Sequence, residues 1–182
     1  VFDQRVLIAD NLIVDSRTET NGIRAMGREL MIEENRVKNV SVDDSGGIYL
    51  WGGPHASLFR GNVVRRNPIP GASRGVYPDD GTSGAPVAEN VIEDSEVCSI
   101  FLSGGRDNVI HRNAAIGSPV FLHLDSRCLG WDSRPEYAGL AEESLERLRL
   151  ALSDNEGGPL IRKRYRGLAG VELANLSLAS LG

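Results

Sequence analysis

An asparagine recurs along the first two-thirds of the chain with nearly the same neighbours each time. The segments LIADNLIVD, LMIEENRVKN, SLFRGNVVRRN, PVAENVIED and NVIHRNAAIG carry Asn11, Asn35, Asn62, Asn90 and Asn113, spaced by 24, 27, 28 and 23 residues. Three positions before each stands an apolar residue: Ile8, Ile32, Phe59, Val87 and Ile110. Two positions after each stands another: Ile13, Val37, Val64, Ile92 and Ala115. A helix would bring apolar residues back every 3.6 positions, whereas these short runs flank a polar corner as β-strands do. A repeat of this period that cannot bury its apolar side alone must stack on its neighbours, so the pattern predicts a parallel β-solenoid with the asparagines as an internal ladder.

Each unit holds a second apolar run: GIRAMG, GIYLWGG, GVYPDDG, SIFLSGG and PVFLHLD. The gap from this run to the following asparagine is nearly constant and the gap before it varies, as expected for a packed coil beside a tolerant surface loop. The expected architecture is all-β, about five coils over residues 1–130, followed by a helical segment over 131–182 that packs on the solenoid. In that segment GLAEESLERLRLAL (139–152) places Ala141, Leu145, Leu148 and Leu152 at helical spacing, and DNEGGP (154–159) ends the helix.

Composition removes several classes of function. A net charge of −5 over 182 residues, with no long basic run, argues against nucleic acid and anionic membranes as partners. No apolar run approaches the ~18 residues of a membrane span. Cys98 and Cys128 form neither a metal-binding spacing nor a disulfide framework, so no metal site is expected from them. No nucleophile elbow, phosphate loop or dinucleotide fingerprint occurs.

Side chains alternate across a strand, which assigns the second runs two faces. Ile23, Ile48, Val76, Ile100 and Val120 point inward, with Ala25, Leu50, Pro78, Leu102 and Leu122 behind them. One outward column then reads Arg24, Tyr49, Tyr77, Phe101, Phe121, and the next reads Met26, Trp51, Asp79, Ser103, His123. Asp80, Gly104, Gly105 and Asp125 follow at the strand ends, the glycines leaving room in front of the carboxylates. A solvent-facing surface of aromatics and carboxylates suits a sugar polymer, because rings stack on sugar C–H faces and carboxylates bind hydroxyls or move protons. The plain alternative is an aromatic ladder that stabilises the solenoid beneath a loop or the helical segment.

The order YPDDGTSG, SIFLSGGRDNVIHRN, FLHLDSRCLGW and PLIRKRYRGL resembles the right-handed parallel β-helix proteins of the pectate-lyase-like superfamily, over about residues 5 to 170. It is most similar to their bacterial carbohydrate-active members, among them glycoside hydrolases of fucosidase and xylanase type. The resemblance implies an active face carrying Asp79, Asp80, His123 and Asp125, an extracytoplasmic location, and a polysaccharide or oligosaccharide as partner. Such relatives are longer, so the chain reads as a fragment or a shortened member.

Three activities are weighed. In glycoside hydrolysis, Asp79 and Asp125, two coils apart, serve as acid and base with His123 beside them. Trp51, Tyr49, Tyr77, Phe101, Ser103 and Phe121 then bind substrate, and no cofactor is needed. In a polysaccharide lyase, the aspartates hold Ca²⁺, but no base stands beside them, since Lys38 and Arg60 lie on the other strands of their coils. In a non-catalytic module, the aromatics bind glycan or only support the fold.

Overall fold

The computed structural model describes residues 3–4, 6–14, 21–25, 27–28, 30–38, 45–51, 58–60, 63–65, 73–82, 84–105, 107–127, 134–155, 157–164, 170 and 172–175. The chain turns sharply at each described asparagine of the repeat. The residue just before it takes the left-handed conformation, with φ of 56° at Asp10, 57° at Glu34, 61° at Glu89 and 55° at Arg112. A single left-handed residue bends a strand through a corner at a cost of roughly 1–2 kcal/mol. The asparagine that follows offsets this cost with hydrogen bonds. Asn35 Oδ1 accepts from Asn11 N at 3.1 Å and Asn11 Nδ2 at 2.8 Å, while Asn35 Nδ2 donates to the Ile8 carbonyl at 2.8 Å. Asn113 repeats this pattern on Asn90 and the Val87 carbonyl. Asn62 lies outside the described residues.

Three five-stranded sheets result, all paired in parallel, and they form a right-handed parallel β-helix. The leading sheet, before the corner, stacks Leu7–Ala9, Met31–Glu33, Leu58–Arg60, Pro86–Ala88 and Val109–His111. The trailing sheet, after it, stacks Leu12–Val14, Arg36–Lys38, Val63–Arg65, Val91–Glu93 and Ala114–Ile116. The third sheet stacks Ile23–Ala25, Ser45–Trp51, Ser73–Asp79, Cys98–Ser103 and Leu122–Asp125. Both apolar columns read from the sequence pair in register, Ile8 through Ile110 and Ile13 through Ala115. Ile32, Val37, Val87 and Ile92 of these columns form the core with Ile48, Val76 and Ile100 of the third sheet, all fully buried. Each such aliphatic side chain contributes about 1.5–3 kcal/mol.

The last rung of the third sheet departs from expectation. Leu122, not Val120, pairs with Ile100, and the register runs on as Phe101 with His123 and Ser103 with Asp125. Pro119 has no N–H to offer a ladder. The chain therefore comes alongside the preceding rung through carbonyls alone: Val120 accepts from Ser99 N at 2.9 Å and Phe121 from Ile100 N at 3.0 Å. The strand proper begins two residues later than the sequence suggested.

Beyond the solenoid, α1 (Ala138–Ser153) and α2 (Gly157–Arg164) pack against each other. The break between them is shorter than DNEGGP implies, because Gly157, Gly158 and Pro159 already belong to α2. Gly158 N donates to the Asp154 carbonyl at 3.0 Å, and a Cβ at Gly158 would stand 2.4 Å from the Leu152 carbonyl oxygen. No helix among the described residues is long and apolar enough to cross a membrane.

Asn35 is buried and makes its bonds to the rung before it, whereas Asn11 is exposed at the edge. Asn35→Ala is therefore expected to cost about 3 kcal/mol, by removing these bonds and stranding the Ile8 carbonyl. Asn11→Ala should cost about 1 kcal/mol. Urea denaturation of the two variants checks the difference.

Candidate functional site

The two outward columns of the third sheet, corrected for the late start of its last strand, are Arg24, Tyr49, Tyr77, Phe101, His123 and Trp51, Asp79, Ser103, Asp125. His123 thus joins the aromatic column in place of Phe121, and Asp125 falls in the column of Asp79. Met26 and Cys128 lie outside the described residues.

The rings stack from rung to rung. Tyr49 meets Tyr77 edge-on at 5.2 Å between centroids, Tyr77 stacks on Phe101 at 4.8 Å, and Phe101 lies 4.5 Å from the His123 ring. Arg24 sits over Tyr49 and Trp51, and Arg74 over Tyr77 and Phe101. The expected solvent-facing aromatic surface is not found. Tyr49, Tyr77 and Phe101 are buried, Tyr77 completely, and Cys98 packs with them. Outward from the sheet is thus not outward to water along this column, and burial pushes the Cys98 thiol up to about 11. Exposure is found at the two ends of the column, at Arg24 and His123, and at Phe121 just before the last strand, 44 % exposed.

The aspartates end the strands around a turn. Thr82 N and Thr82 Oγ1 both donate to the Asp79 carbonyl, at 3.1 and 2.7 Å. The two residues between, Asp80 and Gly81, have φ of 46° and 76°, as a tight hairpin-type turn requires at both central positions. The turn reverses the chain so that both carboxylates stay at the end of the sheet. Asp79 is only 2 % exposed. Its Oδ2 accepts from the Tyr49 hydroxyl at 2.8 Å and its Oδ1 from Asp80 N at 2.7 Å. Asp80 accepts from the indole Nε1 of Trp51 through Oδ2.

Arg127 draws the group together. Its Nη1 lies 3.4 Å from Asp79 Oδ1 and 3.6 Å from Asp80 Oδ1, and its Nε lies 3.8 Å from Asp125 Oδ2. Asp125 Oδ1 in turn accepts from the Arg127 backbone N–H at 3.0 Å, which fixes the turn that aims the side chain. One guanidinium therefore bridges carboxylates from rungs two apart, whose backbones stand about 10 Å from each other. Arg127 is not among the residues expected at the site, and what it brings beside the aspartates is a charged guanidinium rather than a base. The signal was Asp125-Ser126-Arg127, but the slipped register put those residues beyond the strand.

Gly104 and Gly105 do not leave a space in front of the carboxylates. A Cβ on Gly104 would stand 2.2 Å from the Arg127 carbonyl oxygen, and one on Gly105 would stand 2.1 Å from that of Thr82. Both glycines have positive φ and are filled by the backbone of adjoining rungs. Ser103 is buried between the Asp79 and Asp125 rungs, and its hydroxyl has no hydrogen-bond partner among the described residues.

The electrostatics single out Asp80 among the carboxyls. Burial, and then the charge of Asp79, raise the Asp80 carboxyl above its ordinary value, while Trp51 and Arg127 pull the other way without prevailing. Burial and the Asp79 carboxylate raise the Tyr49 phenol, so it stays a proton donor. For Arg127, burial opposes the charge, but the Tyr77 phenol and the three carboxylates outweigh it and hold the guanidinium protonated. No group of three or more His, Cys, Asp or Glu among the described residues is arranged to hold a metal ion.

No family model, no curated protein and no solved structure matches the chain.

Tyr49→Phe removes the hydroxyl that donates to buried Asp79 and is expected to cost about 2 kcal/mol, read by chemical denaturation. Asp80→Asn acts in the opposite sense. A carboxyl whose folded pKa is raised keeps its proton in the fold while the unfolded chain has lost it. The native state therefore gives up stability as pH rises from the ordinary aspartate value through the raised one. The asparagine variant avoids that loss, so its melting temperature should exceed that of the parent at neutral pH, with the gap closing in acid below the ordinary aspartate value.

Proposed function

We propose that the protein hydrolyses glycosidic bonds of a polysaccharide, with Asp80 as general acid and Asp125 as general base. The observation that carries this reading is the contrast between two carboxyls joined by one guanidinium. Asp80 has a raised affinity for its proton, whereas Asp125 is half-buried against Arg127 and accepts a backbone N–H. A carboxyl whose surroundings raise its proton affinity suits a general acid. A guanidinium with an ion-pair contact on either side suits the spacing of about 6.5–9.5 Å that an inverting pair uses to admit a water. In this reading Asp80 protonates the leaving oxygen and Asp125 takes a proton from the attacking water. Asp79, nearly excluded from solvent, is a positioning residue that orients Arg127 and the Asp80 amide.

Substrate would meet the exposed rim rather than the buried ladder. Half-buried Trp51 donates to Asp80, exposed His123 stands two residues before Asp125 on the same strand, and exposed Phe121 precedes that strand; these offer the ring faces that sugars stack on. This reading keeps the likeness to the carbohydrate-active pectate-lyase-like proteins, and with it an extracytoplasmic location. The lyase alternative gains an arginine from Arg127 but not a base, because the Asp79 and Asp125 carboxylates beside it help to hold that guanidinium charged. Their excess negative charge would also repel a uronate.

The test is a panel of plant and algal polysaccharides read for new reducing ends and, separately, for unsaturated products. Reducing ends without unsaturation are expected. Asp80→Asn and Asp125→Asn should each lower turnover by about 10²–10⁴-fold. Unsaturated products would instead establish the lyase. Binding that both variants retain, with no turnover by the parent, would establish a glycan-binding module.

A further inference from the structure

Ser103 ends its strand with a hydroxyl that is completely buried and has no hydrogen-bond partner among the described residues. A buried hydroxyl left unmet is costly, and most are met by a protein group or an ordered water. Parallel neighbours in register point their side chains to the same side of the sheet. Ser103 therefore shares its side with Asp125 on the last rung and with Asp79 on the rung before. The hydroxyl points into the carboxylate cluster, with an aspartate on either side of it in the column.

Neither aspartate meets it. Asp79 is engaged elsewhere: its Oδ2 accepts from the Tyr49 hydroxyl, and its Oδ1 accepts from Asp80 N and Arg127 Nη1. Asp125 Oδ1 accepts from the Arg127 backbone N–H. Asp125 Oδ2 is differently placed. Its contact with Arg127 Nε, at 3.8 Å, is an ion pair too long for a direct hydrogen bond. Polar groups at such a distance are commonly bridged by water. Three polar groups are thus gathered where the last two rungs meet: a hydroxyl that donates or accepts, a carboxylate oxygen that accepts, and a guanidinium N–H that donates. A buried water typically makes about three hydrogen bonds to such groups. The side chains of Asp125 and Arg127 are 29 % and 34 % exposed, so water reaches the place from the rim.

We propose that Ser103, Asp125 and Arg127 hold one water molecule where the last two rungs of the third sheet meet. The water accepts from Arg127 Nε–H, donates to Asp125 Oδ2, and exchanges its third hydrogen bond with the Ser103 hydroxyl. Its catalytic role rests on the hydrolase reading above. On that reading it is the attacking water, already donating to the carboxylate that serves as base. As its oxygen bonds to the anomeric carbon, its proton passes to Asp125, the glycosidic C–O bond breaks, and the leaving oxygen takes the proton of Asp80. Ser103 is then a positioning residue: it touches the water and not the sugar, and a nucleophile held in orientation gains rate without any change in substrate affinity.

Crystal structures of the full chain and of its Ser103→Ala variant, with ordered waters located, test the site. A water within hydrogen-bond distance of both Ser103 Oγ and Asp125 Oδ2 is expected in the parent and should be lost or displaced in the variant. A Ser103 hydroxyl that bonds to a protein group, or that meets no water, overturns the proposal, as does the same water unmoved in the variant. Kinetics test the role. On a polysaccharide that the parent hydrolyses, Ser103→Ala should lower kcat by about 10- to 10²-fold at unchanged KM, with a melting temperature no lower than that of the parent. Full turnover by the variant, or a loss that comes with a lower melting temperature, overturns the positioning role. A parent that holds the water and hydrolyses no polysaccharide upholds the site and overturns the hydrolase reading alone.

Discussion

The spacing between stacked parallel strands, about 4.8 Å, is the constraint on which the rest of this molecule rests. Every coil must pass the same points at that interval, so each corner has to bend the chain and satisfy its own backbone without widening the stack. The asparagine does both tasks with one side chain, accepting from the rung before through Oδ1 and donating to it through Nδ2. The same spacing fixes the glycines at 104 and 105, which have backbone where a side chain would begin. It also stacks the aromatic rings one per rung, so that the column becomes a second core on the outer side of the third sheet.

The candidate site is the place where that regularity stops. Strands end, Asp80 adopts a left-handed conformation, and carboxylates from non-adjacent rungs share one arginine. Three negative groups around a single positive one would be unfavourable in a dry interior. Here the cluster stays tolerable because its members are graded in exposure, from Asp79, almost dry, to Asp125 and Arg127, about a third exposed. That gradient also holds a proton more tightly on Asp80 than an aspartate ordinarily would.

The fold was legible because inward residues are apolar for one reason only. A column such as Ile13, Val37, Val64, Ile92, Ala115 reports packing and nothing else, and its period survives loops of any length. The site was legible in part. Asp79 and Asp80 stand out beside a turn, yet their exposure depends on what covers the sheet, which alternation does not encode. Tyr77 illustrates the point: its direction was correct and its solvent exposure was not. The last rung failed for a different cause. Val120 and Phe121 look like a strand, but a proline before them denies the ladder a donor, and two residues pass before pairing resumes. That slip alone moved His123 and Asp125 by one column each and kept Arg127 out of view.

A solenoid behaves nearly as a one-dimensional chain of coupled units, and its terminal unit is normally the first to peel away. Arg127 alters that order. It leaves the final rung and fastens onto Asp79 and Asp80, two rungs back, passing over the rung between. The end cannot fray one layer at a time without opening this clasp, so loss of the final rung of the third sheet also breaks contacts made two rungs back. The cluster thereby acts as a buckle at the weakest point of the stack.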